Sequence, residues 1–465
     1  LFFSGKENKT RPGRTFGGPM ILLFHAFLFK LKFTIRITMC LGAITSTLSG
    51  TGFAADGGAL TLTEAQAIAV ERSRQLPAQD FAVTASRDLA VAAGRLPDPM
   101  LRIGLDNLPI TGPDRFSIDN DFMTMRRIGI SQEITRTEKR ELRADRFERE
   151  ADKSIAEKTA ITAEIQRDTA LAWLERYYAE AMADAVAEQA RQARLEIEAA
   201  EGAYRAGRGN QTDIFSARGA LVALDDRASQ IQRRVLNAKT MLARWIGSMA
   251  EMPLVGKPDT SIIRLDPATL DSQLAHHPQI AVLNKQEEIA ATEAKLAQAN
   301  KNADWTVGFA YQQRGPAYSN MVSVDVWIPL QWDQKNRQNR ELSSKLAVVE
   351  QVKAQREEAL RVHIAETRLM INEWENGRER HTRYERELIP LANNRTLAAI
   401  TAYRGGKLTL GEVLIARRNE IDVRIEALQL QTEVARLWAR LNFLFPTDGI
   451  AAHTAIITSK DQNGK

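Results

Sequence analysis

The chain has 465 residues, enough for about three domains and a large buried core. Hydrophobic residues make up 44% and charged residues 26%, which excludes a disordered or collagen-like chain. The formal net charge of +5 would point to nucleic acid or an anionic surface only if it were spread along the chain.

It is not spread. Residues 1–55 hold seven bases (Lys6, Lys9, Arg11, Arg14, Lys30, Lys32, Arg36) and one acid, Glu7. That is +6, so the remainder carries −1, and no nucleic-acid partner is expected. Lys30, Lys32 and Arg36 precede an apolar run over 37–48, and Gly52-Phe53-Ala54-Ala55 follows. This is the layout of a secretory signal cleaved after Ala54 or Ala55. The apolar run is shorter than the ~18 residues of a membrane anchor. Residues before Met20, and Leu at position 1, read as an over-extended start of translation. The one cysteine, Cys40, lies inside the leader, and Thr38-Met39 before it is a poor lipoprotein signal. Disulfides, thiolate catalysis and thiolate metal ligation are thereby excluded from the mature chain.

After a first helical stretch, Leu101, Ile103 and Leu105 alternate with Arg102, Gly104 and Asp106, the period of a half-buried strand. A weaker strand candidate covers 122–130, and the Gly-, Pro- and Asp-containing loop 107–121 joins the two as a hairpin of about 99–131. No proline occurs between Pro113 and Pro253. The stretch 137–202 is rich in Ala, Glu, Arg and Leu and predicts one helix of about 100 Å. Leu171, Leu174, Tyr178, Ala181 and Ala185 give it a heptad seam. A turn at Ala203-Tyr204-Arg205-Ala206-Gly207 then sends a second helix back, completing a helical hairpin over about 137–248.

The segment 251–267, with Pro253 and Pro258, reads as a linker, and the plan then repeats. Trp305, Val307, Phe309 and Tyr311 form one alternating strand, and Val322, Val324, Val326 and Ile328 the next, in a hairpin of about 304–330. A proline-free span leads into a second helical hairpin over about 333–445, with a seam at Ala427, Leu430, Val434, Leu437, Leu441 and Leu444. Its turn, Ala402-Tyr403-Arg404-Gly405-Gly406, matches the first; so do Glu412-Val413 with Asp213-Ile214, Ala416-Arg417 with Ala217-Arg218, and Asp304 with Asp98. Ordered matches of this kind mark an internal repeat. The expected organisation is a leader (1–55), a first repeat (56–250), a linker (251–267), a second repeat (268–446) and a tail (447–465).

No stretch after residue 55 has the length of an apolar transmembrane helix. Four strands cannot close a membrane barrel, which needs at least eight. If these strands lie in lipid, several chains must share one barrel, and helices of this length must project into water.

With the duplicated hairpin and helix plan, the stretch Ile130-Ser131-Gln132-Glu133-Ile134 to Lys139-Arg140 and the two Tyr-Arg turns, the sequence resembles the TolC-like outer-membrane efflux proteins over essentially all of the mature chain. It looks most like the branch paired with heavy-metal and cation pumps, departing from it at Glu138, where that branch commonly has Gly. The resemblance implies a mainly α fold with a small membrane β part: a homotrimer whose shared twelve-stranded β-barrel continues into a periplasmic α-helical barrel. It implies no cofactor, and as partners a periplasmic adaptor, an inner-membrane pump of the resistance-nodulation-division type and outer-membrane lipid. Multidrug efflux and type I protein secretion are alternative roles for such a channel. A chain of another class, an exported periplasmic coiled-coil adaptor, would carry one helical hairpin in a β-rich domain rather than two of each kind.

The resemblance places Tyr204, Arg205, Gly207, Asp213, Tyr403, Arg404, Gly406, Leu408 and Glu412 at the tips that close the aperture and meet the adaptor. For Asp213 and Glu412, capping of the returning helix is an equally direct reading. Leu101, Ile103, Leu105, Trp305, Val307, Phe309, Tyr311, Val322 and Val324 would face lipid. His276-His277 is adjacent, so the rings point about 100° apart, and no metal site is expected. No His-Glu-x-x-His, P-loop or Gly-x-Ser-x-Gly stands in the chain, and no enzyme is expected.

Overall fold

The computed structural model describes residues 59–207 and 210–447. The leader and nearly all of the tail lie outside these residues. The described part is mostly helical with one small antiparallel sheet.

Helix α1 (Leu62–Arg72) starts at a capping box in which Thr61 and Glu64 satisfy each other's backbone amides. Helix α2 (Gln75–Ala93) follows and packs on the long helix α3 (Thr137–Arg205). Between them lie strands β1 (Met100–Asp106) and β2 (Met125–Ile134). The 69 residues of α3 span about 100 Å. Its return helix α4 (Gln211–Ile246) is followed by an irregular segment, the short α5 (Leu270–Leu274) and α6 (Pro278–Ala299). Strands β3 (Trp305–Gln313) and β4 (Met321–Trp327) then lead to α7 (Gln338–Arg383). A π-turn (Tyr384–Leu388) joins α7 to α8 (Ile389–Arg404), and α9 (Leu410–Asn442) returns. The π-turn stands just before Pro390, whose ring and missing N–H disturb regular helix pairing at that point.

The four strands form one sheet in the order β1-β2-β3-β4, every pair antiparallel. Ile130 faces Leu101 on one side and Phe309 on the other, and Phe309 faces Val324. Strand β2 begins at Met125, not at Phe122, and runs through Ile134. The cause is local. The Asp121 carboxylate accepts from the amides of Met123 and Thr124, both at 2.9 Å, and from the Thr124 hydroxyl at 3.0 Å. Those bonds turn the chain away from the ladder until Met125.

The helices bury narrow stripes rather than one thick core. Around the middle of α3, Trp173, Leu174 and Tyr178 pack with Leu60, Ala65, Leu242, Ile246 and Ala439. Arg176 is also buried here, donating to the Ala250 carbonyl at 2.5 Å and pairing with Glu180 at 2.7 Å, so its charge is not left bare. The seam predicted on α3 needs one correction. Ala181 and Ala185 are only half-buried, and the buried stripe continues through Met182 and Val186, against Ile231, Ile421 and Ile425. On α9, Ala427, Leu430, Val434 and Leu441 are buried as the seam predicts. The seam's Leu444 lies past the end of the helix.

Candidate functional site

Two features stand out: the exposed face of the sheet and the paired turns at the far end of the long helices. In the sheet, Leu101, Ile103, Leu105, Trp305, Val307, Phe309, Tyr311, Val322 and Val324 lie on one face and all are exposed in the single chain, Ile103 by 73% and Val324 by 69%. The register adds Ile128, Ile130, Ile134 and Val326 to that face. The β2 members were not singled out as facing outward from sequence, although their alternation with Arg127, Gly129 and Ser131 carries the signal. The opposite face bears Arg102, Arg127, Asp106, Ser131, Glu133, Gln312, Ser323 and Asp325, with Arg127 paired to Asp106 at 2.8 Å. Arg126, Gln132 and Gln313 also fall on the outward face, toward its two ends, and Met100, Met125, Met321 and Trp327 on the inward one, so the outward face is predominantly apolar and the inward face predominantly polar. Trp305 stands at the end of β3 nearest the helices and Tyr311 toward its other end.

Where the sheet passes into the helices, Asp304 accepts from the Arg136 amide at 3.0 Å and from Lys139 Nζ at 2.6 Å. Burial pushes the Asp304 carboxyl up, and the bonds from Lys139 and Arg136 more than offset it, leaving it below the usual carboxylate range. Arg140 reaches back to the carbonyls of Thr135 and Gly94. Lys139 therefore fastens the start of α3 to the residue before β3, and Arg140 fastens it to the exit of β2 and the end of α2.

At the other end, α3 stops at Arg205 and α8 at Arg404. Gly207 and Gly406 take φ of +70° and +71°, which an L side chain resists. In the second turn the Lys407 amide donates to the Ala402 carbonyl at 2.9 Å, closing the helix end. The returning helix α9 is capped by Thr409, with the Glu412 carboxylate accepting from the Thr409 amide at 2.9 Å. Asp213 makes the longer counterpart bond to the Asn210 amide at 3.5 Å. Both acids thus occupy capping positions.

The two turns lie side by side. Ala200 and Ala217 from the first share one apolar cluster with Ala399, Leu410, Val413 and Ala416 from the second, and Tyr403 and Leu408 pack against it. Tyr204, Arg205, Gly207, Arg404, Gly406 and Glu412 are exposed at its end, and Asp213 is half-buried. The Arg205 guanidinium turns back onto the Glu201 carbonyl. A bridge missed in the sequence ties the pair: Arg417 of α9 meets Glu196 of α3 at 2.6 Å, with both side chains largely buried. Its partner in the repeat, Arg218, pairs with Glu201 inside its own hairpin. Repeated residues have therefore diverged in partner.

His277 is buried, its ring 4.6 Å from that of His363 and 5.7 Å from Phe445. Its Nδ1 accepts from the Gln279 amide, which leaves the proton on Nε2 and makes a neutral two-histidine metal site unfavourable. No group of three or more potential metal ligands occurs among the described residues, and no helix among them is long and apolar enough to cross a membrane.

No protein-family model matches the chain, and no curated protein matches it in sequence. Solved structures do. The outer-membrane channel OprN is 16% identical, with a TM-score of 0.69, over 83% of this chain and 89% of that one. CusC, whose structures are described in terms of folding and transmembrane channel formation, is 15% identical, with a TM-score of 0.69, over 82% and 92%. The outer membrane protein VceC of Vibrio cholerae is 18% identical, with a TM-score of 0.65, over 82% and 95%. The chain has the fold of TolC-like outer-membrane channels.

Proposed function

We propose that this chain is one subunit of an outer-membrane exit duct in a tripartite efflux system, exporting small solutes, with heavy-metal cations as the first class to test. The observation that carries the reading is the sheet's apolar outward face, left uncovered by any helix among the described residues, with unpaired edges at β1 and β4. An apolar face of that extent in water is a liability, and two open edges are another. Lipid covers the face, and neighbouring copies cover the edges. The nine residues of β3, at ~3.3 Å each and tilted by ~40°, reach a height of roughly 23 Å, close to the apolar band of an outer-membrane barrel. Trp305 and Tyr311 sit near its two limits, where aromatic girdles belong.

In this reading three copies supply twelve strands, and their helices continue as a water-filled tunnel in the periplasm. The repeats are 56–250 and 268–446, joined by the linker 251–267 and preceded by a cleaved export leader. Tyr204, Arg205, Tyr403 and Arg404, with the adjoining Gly207, Asp213, Gly406, Leu408 and Glu412, form the aperture and the surface that an adaptor grips. An inner-membrane pump of the resistance-nodulation-division type delivers the substrate. The duct itself performs no chemistry and holds no cofactor.

Four measurements test this. The protein should need detergent for extraction from outer membranes, run at three times the monomer mass, and give single-channel currents in planar bilayers. Deletion should sensitise cells to divalent metals more than to a panel of antibiotics. A monomer released without detergent would rule the reading out, and sensitivity to drugs alone would reassign the substrate.

A further inference from the structure

Within one chain, the junction between sheet and helices is tied by Asp304, which precedes β3, and Lys139, near the start of α3. Their side chains are 17% and 5% exposed, a well-covered pair. The repeat gives this junction a counterpart. Met100 faces Ser131 across β1 and β2 as Thr306 faces Trp327 across β3 and β4. Two residues before Met100 stands Asp98, and two before Thr306 stands Asp304. Lys139 lies eight residues past Ser131, and eight residues past Trp327 lies Lys335, in the turn that leads into α7. Register and sequence thus pair Asp98 with Asp304 and Lys335 with Lys139 as equivalents. Asp98 and Lys335 sit at the two free edges of the sheet, both exposed, and neither has an ionic partner among the described residues.

We infer that Lys335 of one copy pairs with the partner subunit's Asp98, closing the junction between chains as Lys139 and Asp304 close it within one. The inference rests on the shared-barrel reading and adds to it a contact and a register. The correspondence carries the pairing of β2 with β3 onto β4 and the next β1: Ile130 opposite Phe309 becomes Val326 opposite the partner's Ile103, and Ile128 opposite Tyr311 becomes Val324 opposite the partner's Leu105. This register keeps all four apolar side chains on the outward face. A slip of one residue would set Val326 and Val324 against Arg102 and Gly104, or against Gly104 and Asp106, on the polar face. Opposite charge and matched parity thus agree on one occupant, a second copy of this chain.

Because Cys40 is the only cysteine, a full-length Cys40→Ser background makes thiol cross-linking unambiguous. Three double variants are treated in outer-membrane vesicles with a short bis-maleimide and run under denaturing conditions. Lys139→Cys with Asp304→Cys should cross-link within one chain, changing mobility without adding mass. Ile103→Cys with Val326→Cys reports the strand register between chains, and Asp98→Cys with Lys335→Cys reports the inferred contact. Both of these should yield covalent dimers and trimers, and the four single variants should stay monomeric. If the strand pair links and Asp98→Cys with Lys335→Cys does not, the contact is wrong while the ring stands. If neither links although the internal pair does, the ring itself is wrong and the contact falls with it. Charge exchange is the second readout: Asp98→Lys or Lys335→Asp alone should lower the detergent-stable trimer fraction roughly fivefold or more, and the combined exchange should restore it. Additive loss in the combined variant overturns the contact.

Discussion

His277 shows how one residue can be fixed by packing and yet govern the response to pH. Its ring is 6% exposed, lies against His363 and Phe445, and caps α6 by accepting from the Gln279 amide. Burial first, then the nearby charges of His363 and Arg167, pushes its pKa down to about 4. The unfolded chain takes up that proton near the ordinary histidine value of about 6.5. Between these values the unfolded state binds more protons, so stability is full above about pH 6.5 and falls as the pH drops toward 4. The total loss is about 3 kcal/mol for this one group. His277→Asn keeps a capping acceptor and removes the titration. Denaturant midpoints from pH 7 to pH 4 should therefore decline less steeply in His277→Asn than in the parent protein. Equal slopes would show that His277 does not set the acid response.

At the scale of elements, the turns are where the chain states its fold most openly. Gly406 needs its positive φ, and Gly406→Ala should cost about 1 kcal/mol by strain alone. The tips were legible because glycine, the capping pairs and the doubled Tyr-Arg each have a local physical meaning. The start of β2 was less so, because the Asp121 carboxylate competes with the ladder for the amides of Met123 and Thr124. Seam positions on α3 were only partly legible. One 69-residue helix meets several partners along its length, so the buried stripe shifts onto Met182 and Val186 where α4 and α9 close in. The bridge between Glu196 and Arg417 was not legible at all, because its ends lie 221 residues apart. If the tips form the aperture, Arg417→Ala leaves the largely buried Glu196 without its cation and should raise channel conductance, with a coupling to Glu196→Gln of about 1 kcal/mol. Arg205→Glu with Arg404→Glu should change conductance or adaptor capture without changing trimer yield. Unaltered currents and binding in both cases would remove the tips from the gate.

For the whole molecule, the decisive division is between the two faces of one thin sheet. Phe309 and Val324 face each other on the outward side, and the next residues, Ala310 and Ser323, face each other on the inward side. Side chains one position apart along a strand therefore meet opposite solvents if the sheet lies in lipid. An arginine at the centre of the outward face would have to enter hydrocarbon, at about 2–4 kcal/mol per site, and the penalty would recur in every copy of the ring. At the neighbouring inward position it would meet water and the polar side chains of Gln312 and Asp325. Val324→Arg should accordingly reduce assembled, heat-resistant trimer in outer membranes severely, whereas Ser323→Arg should assemble near normally and shift ion selectivity toward anions. A water-exposed sheet predicts the reverse ordering or none, since arginine at Val324 would then be harmless. Comparing the two variants by trimer yield and by reversal potential separates membrane strand from exposed hairpin, and does so whichever solute the duct carries.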